Sequence, residues 1–405
     1  MGYSYRRGWI SCLEKDIDML VSANGITLHA ETAGYGDLTL IFLPYFGGTA
    51  RSWAPVIEAL PGWVRSIALD MRGWGGSDRP DTGYDIATLA DDVQAAVSAL
   101  GVRRYILVGH SMGGKIAQLL ASRRPAGLAG LVLVAPSPAQ GKILSDAERE
   151  GMAGAYNSAE AISWTIDNIL AGSKLKPEWR AQIIADSLGG GAAAKAFWPA
   201  CAIAEDVSAA LQSINVPVLV LGGEFDKVDS IEMLRGIVVP ALPAAKFTVM
   251  AGIGHLVPFE APEALARLLC AYISELKHDE PAPTLQPEDL ASRFDQAFCR
   301  GDLDALMALF CQDAMMRMTD GTLVSGTTAL RKALGDLIAM APKLRNRIRR
   351  IIVNQKTALL LLDWELFAAQ PGGQDIVQRG TATQILERCR DGNWRLLISN
   401  PLGIA

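Results

Sequence analysis

The run Gly109-His110-Ser111-Met112-Gly113 joins a continuously apolar segment, Ile106-Leu107-Val108, to an amphipathic one that starts at Gly114. A serine between two glycines at a strand-to-helix junction suits nucleophilic chemistry. The turn is tight, side chains at the glycine positions would strike neighbouring backbone, and the hydroxyl is lifted above the sheet. The N–H of Met112, at the helix start, would face a developing oxyanion, a kind of donor whose loss costs about 10²–10³ in rate. The hydroxyl also needs a base to take its proton, and the chain has only 4 histidines. His29 falls within an early strand pattern, His110 belongs to the turn itself, and His278 sits in a charged, proline-rich stretch. His255 remains, in the glycine-rich loop Gly252-Ile253-Gly254-His255-Leu256 that follows a strand pattern, where a parallel sheet delivers residues to its active edge. A carboxylate must orient this base. Glu224, Asp226 and Asp229 follow the preceding strand pattern. Asp226 lies the shortest useful turn beyond it and is favoured, with Asp229 and Glu224 as alternatives.

Positioning these residues requires a parallel sheet wrapped by helices. Short β-branched and aliphatic runs begin at Ile26, Leu38, Val64, Arg104, Leu131, Val216 and Lys246, and amphipathic segments alternate with them. Several runs are apolar throughout, as strands buried on both faces should be. Between about residues 137 and 213 the alternation gives way to an Ala-rich helical stretch carrying Trp164, Trp179 and Trp198, read as an inserted lid. The charged stretch with Pro281, Pro283 and Pro287 marks a linker, placed at 277–287. Beyond it, helix patterns start at Pro287, span about Asp302 to Phe310 and Ala329 to Met340, and precede strand patterns from Arg347 onward. The expected division is therefore 17–276 as an α/β domain, a linker, and 288–405 as an α+β domain.

Composition narrows the function classes. A length of 405 residues suits two domains. With 38 Lys+Arg against 43 Asp+Glu, the net charge of −5 gives no electrostatic reason to bind nucleic acid. Mean hydropathy is +0.20, yet each apolar run is broken before the roughly 18–20 residues a membrane span needs. Glu14, Lys15, Asp16 and Asp18 interrupt what would have to be the apolar part of a signal peptide. The 6 cysteines include no CxxC pair and form no Cys/His cluster at metal-ligand spacing. The expectation is a reduced, cytoplasmic protein without metal or cofactor.

Residues from about 20 to 275 resemble the lid-bearing α/β-hydrolases of the esterase, lactonase and C–C hydrolase branch. Besides the serine turn, the matching motifs are Asp70-Met71-Arg72-Gly73-Trp74-Gly75-Gly76-Ser77-Asp78, Gly223-Glu224-Phe225-Asp226, and the order Ser…Asp…His. The resemblance implies a mostly parallel sheet with a helical lid and an acyl-enzyme on Ser111. Serine rather than aspartate at that position argues against haloalkane dehalogenase and epoxide hydrolase chemistry. The second oxyanion donor would be the N–H of Phe46, in Leu43-Pro44-Tyr45-Phe46-Gly47-Gly48, where Pro44-Tyr45 replaces the usual His-Gly and Tyr45 restricts the backbone. Tyr45, Phe46, Met112, Leu256 and the lid residues Trp164, Trp179 and Trp198 are the candidates for selecting a hydrophobic small-molecule substrate, with plain core packing as the alternative reading of Tyr45 and of each tryptophan.

Residues 288–402 resemble the SnoaL-like, ketosteroid-isomerase-like cone through Phe294 to Asp304, Ala308-Leu309-Phe310-Cys311-Gln312-Asp313-Ala314, and Gly392-Asn393-Trp394-Arg395-Leu396. Carried over, the isomerase's oxyanion tyrosine falls at Phe294 and its general base at Met318, neither of which exchanges a proton. Asp313, Asp320, Asp363 and Glu365 read as surface or capping carboxylates, and the basic run Lys343 to Arg350 as a solvated strand face. Such cones are isomerases, cyclases, binding modules or dimerisation units, so this domain is a candidate for pairing two copies of the chain. The leading expectation is a serine hydrolase that cleaves an ester, a lactone or an activated C–C bond. Isomerase or cyclase chemistry in the cone, and a ligand-binding or scaffolding chain with a vestigial triad, are the alternatives.

Overall fold

The computed structural model describes residues 17–34, 36, 38–278, 285–318, 320–339, 343–368, 376–389 and 391–403. Residues 279–284 of the expected linker, and the stretch before residue 17 that was read for a signal peptide, lie outside these. The chain divides into two compact units, the first comprising the chain up to Gly34 and Leu38–Leu276, the second including the chain from Lys277 onward.

Among the described residues the first unit is built on eight strands: β1 Ile17–Ala23, β2 Ile26–Ala33, β3 Thr39–Leu43, β4 Arg65–Leu69, β5 Tyr105–His110, β6 Leu128–Val134, β7 Val218–Gly223 and β8 Lys246–Met250. They lie in the order β1-β2-β4-β3-β5-β6-β7-β8. The hairpin β1/β2 and the pair β2/β4 are antiparallel, and every pair from β4/β3 to β7/β8 is parallel. The runs without alternation are the ones sheathed on both faces: β3, β5 and β7 are buried at every position. Strand β1 was not among the expected ones. Its signal was the Asn24-Gly25 pair, both at positive φ, a two-residue turn that closes a hairpin. Register brings Leu43 opposite Gly109, His110 opposite Val134, and Gly223 opposite Met250, so these strands end together at one edge of the sheet.

Between β6 and β7 the described chain is helical, with helices Asp146–Gly154, Ala159–Thr165, Pro177–Leu188 and Ala192–Ala200. Ser145 and Ser158 cap the first two, and Pro177 opens the third, where its missing N–H costs nothing. The second runs into a wider turn, Ile166–Leu170, that ends beside the loop carrying His255.

The second unit carries helices Leu290–Cys299, Leu303–Met307 and Thr327–Ala339, and strands β9 Phe310–Arg317, β10 Leu323–Ser325, β11 Lys343–Val353, β12 Thr357–Ala368, β13 Ile376–Arg388 and β14 Trp394–Asn400. The sheet order is β10-β9-β14-β13-β12-β11. The helix expected through Phe310 stops at Met307, because Phe310, Cys311, Ala314 and Met316 are buried as strand residues of this unit's core. Strand β11 starts at Lys343, four residues earlier than expected. It forms an edge of the sheet, and its exposed Arg347, Arg349 and Arg350 are the kind of charges that keep an edge from pairing with another chain.

Candidate active site

Strand β5 delivers Ser111 to the helix Met112–Ser122 with φ 52° and ψ −111°, a conformation that costs a non-glycine residue about 1–3 kcal/mol. Surrounding backbone imposes it. The Ser111 N–H donates to the Val134 carbonyl at 3.0 Å, and the Ser111 carbonyl accepts from the Lys115 and Ser137 N–H groups, both at 3.1 Å. A Cβ at Gly109 would stand 2.4 Å from the Gly113 carbonyl oxygen, and one at Gly113 2.5 Å from that of Leu43. Both flanking glycines are therefore required by close approach.

At the ends of β7 and β8, Asp226 Oδ2 lies 2.8 Å from His255 Nδ1, with both side chains buried. An ionised carboxylate only accepts, so Nδ1 carries the proton and Nε2 keeps its lone pair. The other oxygen of Asp226 accepts the N–H groups of Val228 at 2.7 Å and Asp229 at 3.0 Å. Burial opposes the charge on Asp226, yet His255 and those N–H groups hold its carboxyl below the ordinary value. Burial likewise opposes a charged His255, but the charge and hydrogen bond of Asp226, with Asp229 behind it, hold the imidazole above its ordinary value. The alternative acids are engaged elsewhere. Asp229 pairs with the Lys142 ammonium, and burial raises its carboxyl; Glu224 accepts the Gly252 N–H at 2.8 Å.

The stretch after β3 forms a turn in which the Gly48 N–H donates to the Tyr45 carbonyl at 3.0 Å. Its one positive φ falls on Gly47, at 97°, so the constraint expected from Tyr45 does not arise. Two lid residues hold this turn. The Tyr156 hydroxyl donates to the Phe46 carbonyl at 2.8 Å, and Ser187 Oγ donates to the Gly47 carbonyl at 2.9 Å. Among the described residues neither the Phe46 nor the Met112 N–H meets a hydrogen-bond acceptor.

Ser111 and His255 open onto one cavity of about 820 Å³, whose walls include Tyr45, Phe46, Trp164 and Trp198. Trp198 stacks on Phe46 with ring centroids 6.0 Å apart, while Trp164 is 60% exposed at the rim. Burial pushes the Tyr45 phenol well above its ordinary value, and its ring packs 5.2 Å from that of His110. Three of the candidate wall residues do not line the cavity, and for Trp179 the packing alternative is the one seen. Leu256 is 0% exposed, its side chain turned into the core where the chain enters the short helix Val257–Glu260. Met112 is buried in the core. Trp179 packs against Phe259, with the Lys176 ammonium 4.1 Å over its ring.

Two site residues escaped the sequence reading in whole or part. His110 is more than a turn residue, since its Nε2–H donates to the His255 carbonyl at 2.8 Å. Burial drives its pKa down to about 3, so it stays neutral. Tyr156 had no local signal. His29, expected to be structural, pairs with Asp70 at 2.8 Å, and Asp70 also accepts the Ala50 and Gly76 N–H groups. Among the described residues no group of three or more His, Cys, Asp and Glu could hold a metal ion, and no helix is long and apolar enough to cross a membrane.

The second unit has its own cavity, about 110 Å³, walled in part by Phe294, Met318, Trp364, Asn346, Gln384 and Ser399. The two positions where the isomerase resemblance would require a tyrosine and an aspartate thus face it as Phe and Met. Asp320 caps the Thr322 N–H, Asp363 pairs with Arg349 and Glu365 with Arg379, and none of these lines the cavity.

Residues 39–262, more than half of the chain, match the family described as the alpha/beta hydrolase fold. The chain belongs to the α/β-hydrolase family. Residues 291–396 match the SnoaL-like domain. This α/β-hydrolase is 40% identical to N-formylmaleamate deformylase of Pseudomonas putida over 117 residues, which is 29% of the chain and 44% of that protein. It thus spans less than half the length of that curated relative. It is 28% identical to 2-(acetamidomethylene)succinate hydrolase of Mesorhizobium japonicum over 270 residues, 64% of the chain and 95% of that protein. Among solved structures, Est816, described as an N-acyl homoserine lactone degrading enzyme, superposes with a TM-score of 0.55 at 27% identity, covering 63% of the chain and 100% of Est816.

Proposed function

We propose that this α/β-hydrolase is a serine hydrolase that cleaves an ester or lactone of a hydrophobic small molecule through an acyl-enzyme. The observation that carries the reading is the pairing of a strained Ser111 elbow with a buried His255–Asp226 couple on one cavity. In this reading His255 Nε2 takes the Ser111 proton as Oγ attacks the carbonyl carbon, and Asp226 stabilises the resulting imidazolium. The N–H groups of Met112 and Phe46 receive the oxyanion. The imidazolium then gives its proton to the leaving alkoxide, and water, deprotonated by the same nitrogen, releases the acid and restores Ser111.

The apolar cavity walls support a hydrophobic substrate. The names of the relatives add amide-type and lactone substrates to the candidates, and activated C–C bonds remain within the same chemistry. The test is product identification from a panel of aryl esters, lactones, N-acyl amides and ring-cleavage diketones, with Ser111→Ala in parallel. Turnover of at least one class, abolished in Ser111→Ala, is expected. Undiminished turnover in the purified Ser111→Ala protein overturns the reading.

A further inference from the structure

One carboxylate that the reaction does not use ties the loop of His255 to the lid. Glu260 accepts the Gly172 N–H at 2.9 Å, the Ser173 N–H at 2.7 Å and the Ser173 hydroxyl at 2.9 Å on the lid side. On the histidine side it accepts the N–H groups of Gly254 and Leu256, each at 3.1 Å. Those two residues flank His255 directly. The His255 N–H itself donates to the carbonyl of Leu170, in the same lid segment, at 2.7 Å. Glycines let the two backbones come this close: a Cβ on Gly172 would sit 2.5 Å from the Gly254 nitrogen, and one on Gly254 2.2 Å from the Gly172 nitrogen. Leu170 of that segment, with Trp164 and Ile169 earlier in the lid, also walls the cavity.

Four backbone N–H groups and one hydroxyl converge on two oxygens, and they do so only while the lid segment and the histidine loop lie side by side. Bonds to an ionised acceptor are about twice as strong as neutral ones, so the charge of Glu260 matters as well as its shape. We infer that Glu260 is a positioning residue that couples docking of lid residues 170–173 to the placement of His255, so that the cavity wall and the base are set together. This rests on His255 being the general base. Replacing Glu260 by Gln turns one acceptor into a donor that faces N–H groups, while Glu260→Asp keeps the charge on a shorter arm.

The test measures kcat and KM of the full chain, Glu260→Gln and Glu260→Asp on two aryl esters, an acetate too short to touch the lid and a long-chain acyl ester that reaches Trp164. Ser111→Ala runs alongside, and thermal unfolding shows that each variant is folded at the assay temperature. A misplacement on the order of 1 Å costs about 10²-fold, so kcat of Glu260→Gln should fall about 10- to 100-fold on both esters, with KM for the acetate nearly unchanged. Glu260→Asp should recover part of it, and phosphonylation of Ser111 by a fluorophosphonate should slow in step. A folded Glu260→Gln protein with full kcat on the acetate, its loss confined to KM of the long ester, overturns the inference. If Glu260→Gln does not fold, Gly172→Ala takes its place: the same joint fall in kcat supports the coupling, and unchanged kcat overturns it. Turnover surviving in Ser111→Ala marks a failure of the serine reading, separate from either result.

Discussion

The Tyr156 hydroxyl offers a clean perturbation of the turn proposed to hold the oxyanion, because Tyr156→Phe removes one oxygen and leaves the ring that packs 5.1 Å from Phe46 and against Gly47. The lost bond is the 2.8 Å contact to the Phe46 carbonyl, in a fully buried setting. A carbonyl deprived of its partner there costs about 1–3 kcal/mol. At about 2–4 °C per kcal/mol for a unit of this size, Tm should fall by a few degrees to about 10 °C. The catalytic effect has an upper bound in the complete loss of an oxyanion donor, about 10²–10³. Here the Phe46 N–H remains while its turn loosens, so a fall in kcat of about tenfold is expected, with KM little changed because the ground-state carbonyl draws little on that donor. Steady-state kinetics on an aryl ester and a thermal unfolding curve give both numbers. Gly47→Ala should be worse on both counts, since its Cβ would stand 2.5 Å from the Tyr156 ring at a φ of 97°. Wild-type kcat and Tm in Tyr156→Phe would show that the loop does not depend on the lid.

Asp226→Asn keeps the side-chain shape but turns an amide toward His255 Nδ1 and favours the wrong tautomer. Its kcat should drop about 10³–10⁴-fold, whereas Asp229→Asn, at a residue paired with Lys142, should lose less than about tenfold; equal losses would return the two acids to equal standing. Since His255 is held above its ordinary value, kcat/KM should begin to fall while the pH is still above about 6.5, and the limb should move downward in Asp226→Asn; a wild-type limb at or below that value contradicts the pairing. His110 stays neutral in the folded chain down to about pH 3 but takes up its proton near pH 6.5 once unfolded. Between those values the unfolded state binds more protons, so the native state loses up to about 1.4 kcal/mol per pH unit as the pH is lowered. Denaturant midpoints at pH 7, 5 and 4 should fall more steeply for wild type than for His110→Gln, and parallel curves refute this origin.

Much of the hydrolase unit was legible because its strands announce themselves. Apolar runs such as Tyr105–His110 admit no wet face, and the elbow is read from five consecutive residues whose glycines meet backbone on both sides. The choice among Glu224, Asp226 and Asp229 depended on where a turn leaves each carboxylate, which spacing alone only favours. Leu256 was misplaced for the same reason: adjacency to His255 does not say which way the side chain turns, and here it turns into the core. The helix extended through Phe310 erred because a short buried strand and a helix end present similar apolar runs. The contacts that hold the site together were out of reach of any local pattern, since Tyr156 meets Phe46 across 110 residues, His110 meets the His255 carbonyl across 145, and Glu260 meets Gly172 across 88.

The assignment of Ser111 as nucleophile is tested most directly by peptide-level mass spectrometry of the full chain after brief exposure to a fluorophosphonate, with ester turnover followed in the same sample. One phosphonyl group per chain on the peptide containing Ser111, appearing in step with the loss of turnover and absent in His255→Ala, is the expected result. Full turnover in a protein whose Ser111 is stoichiometrically modified would contradict it.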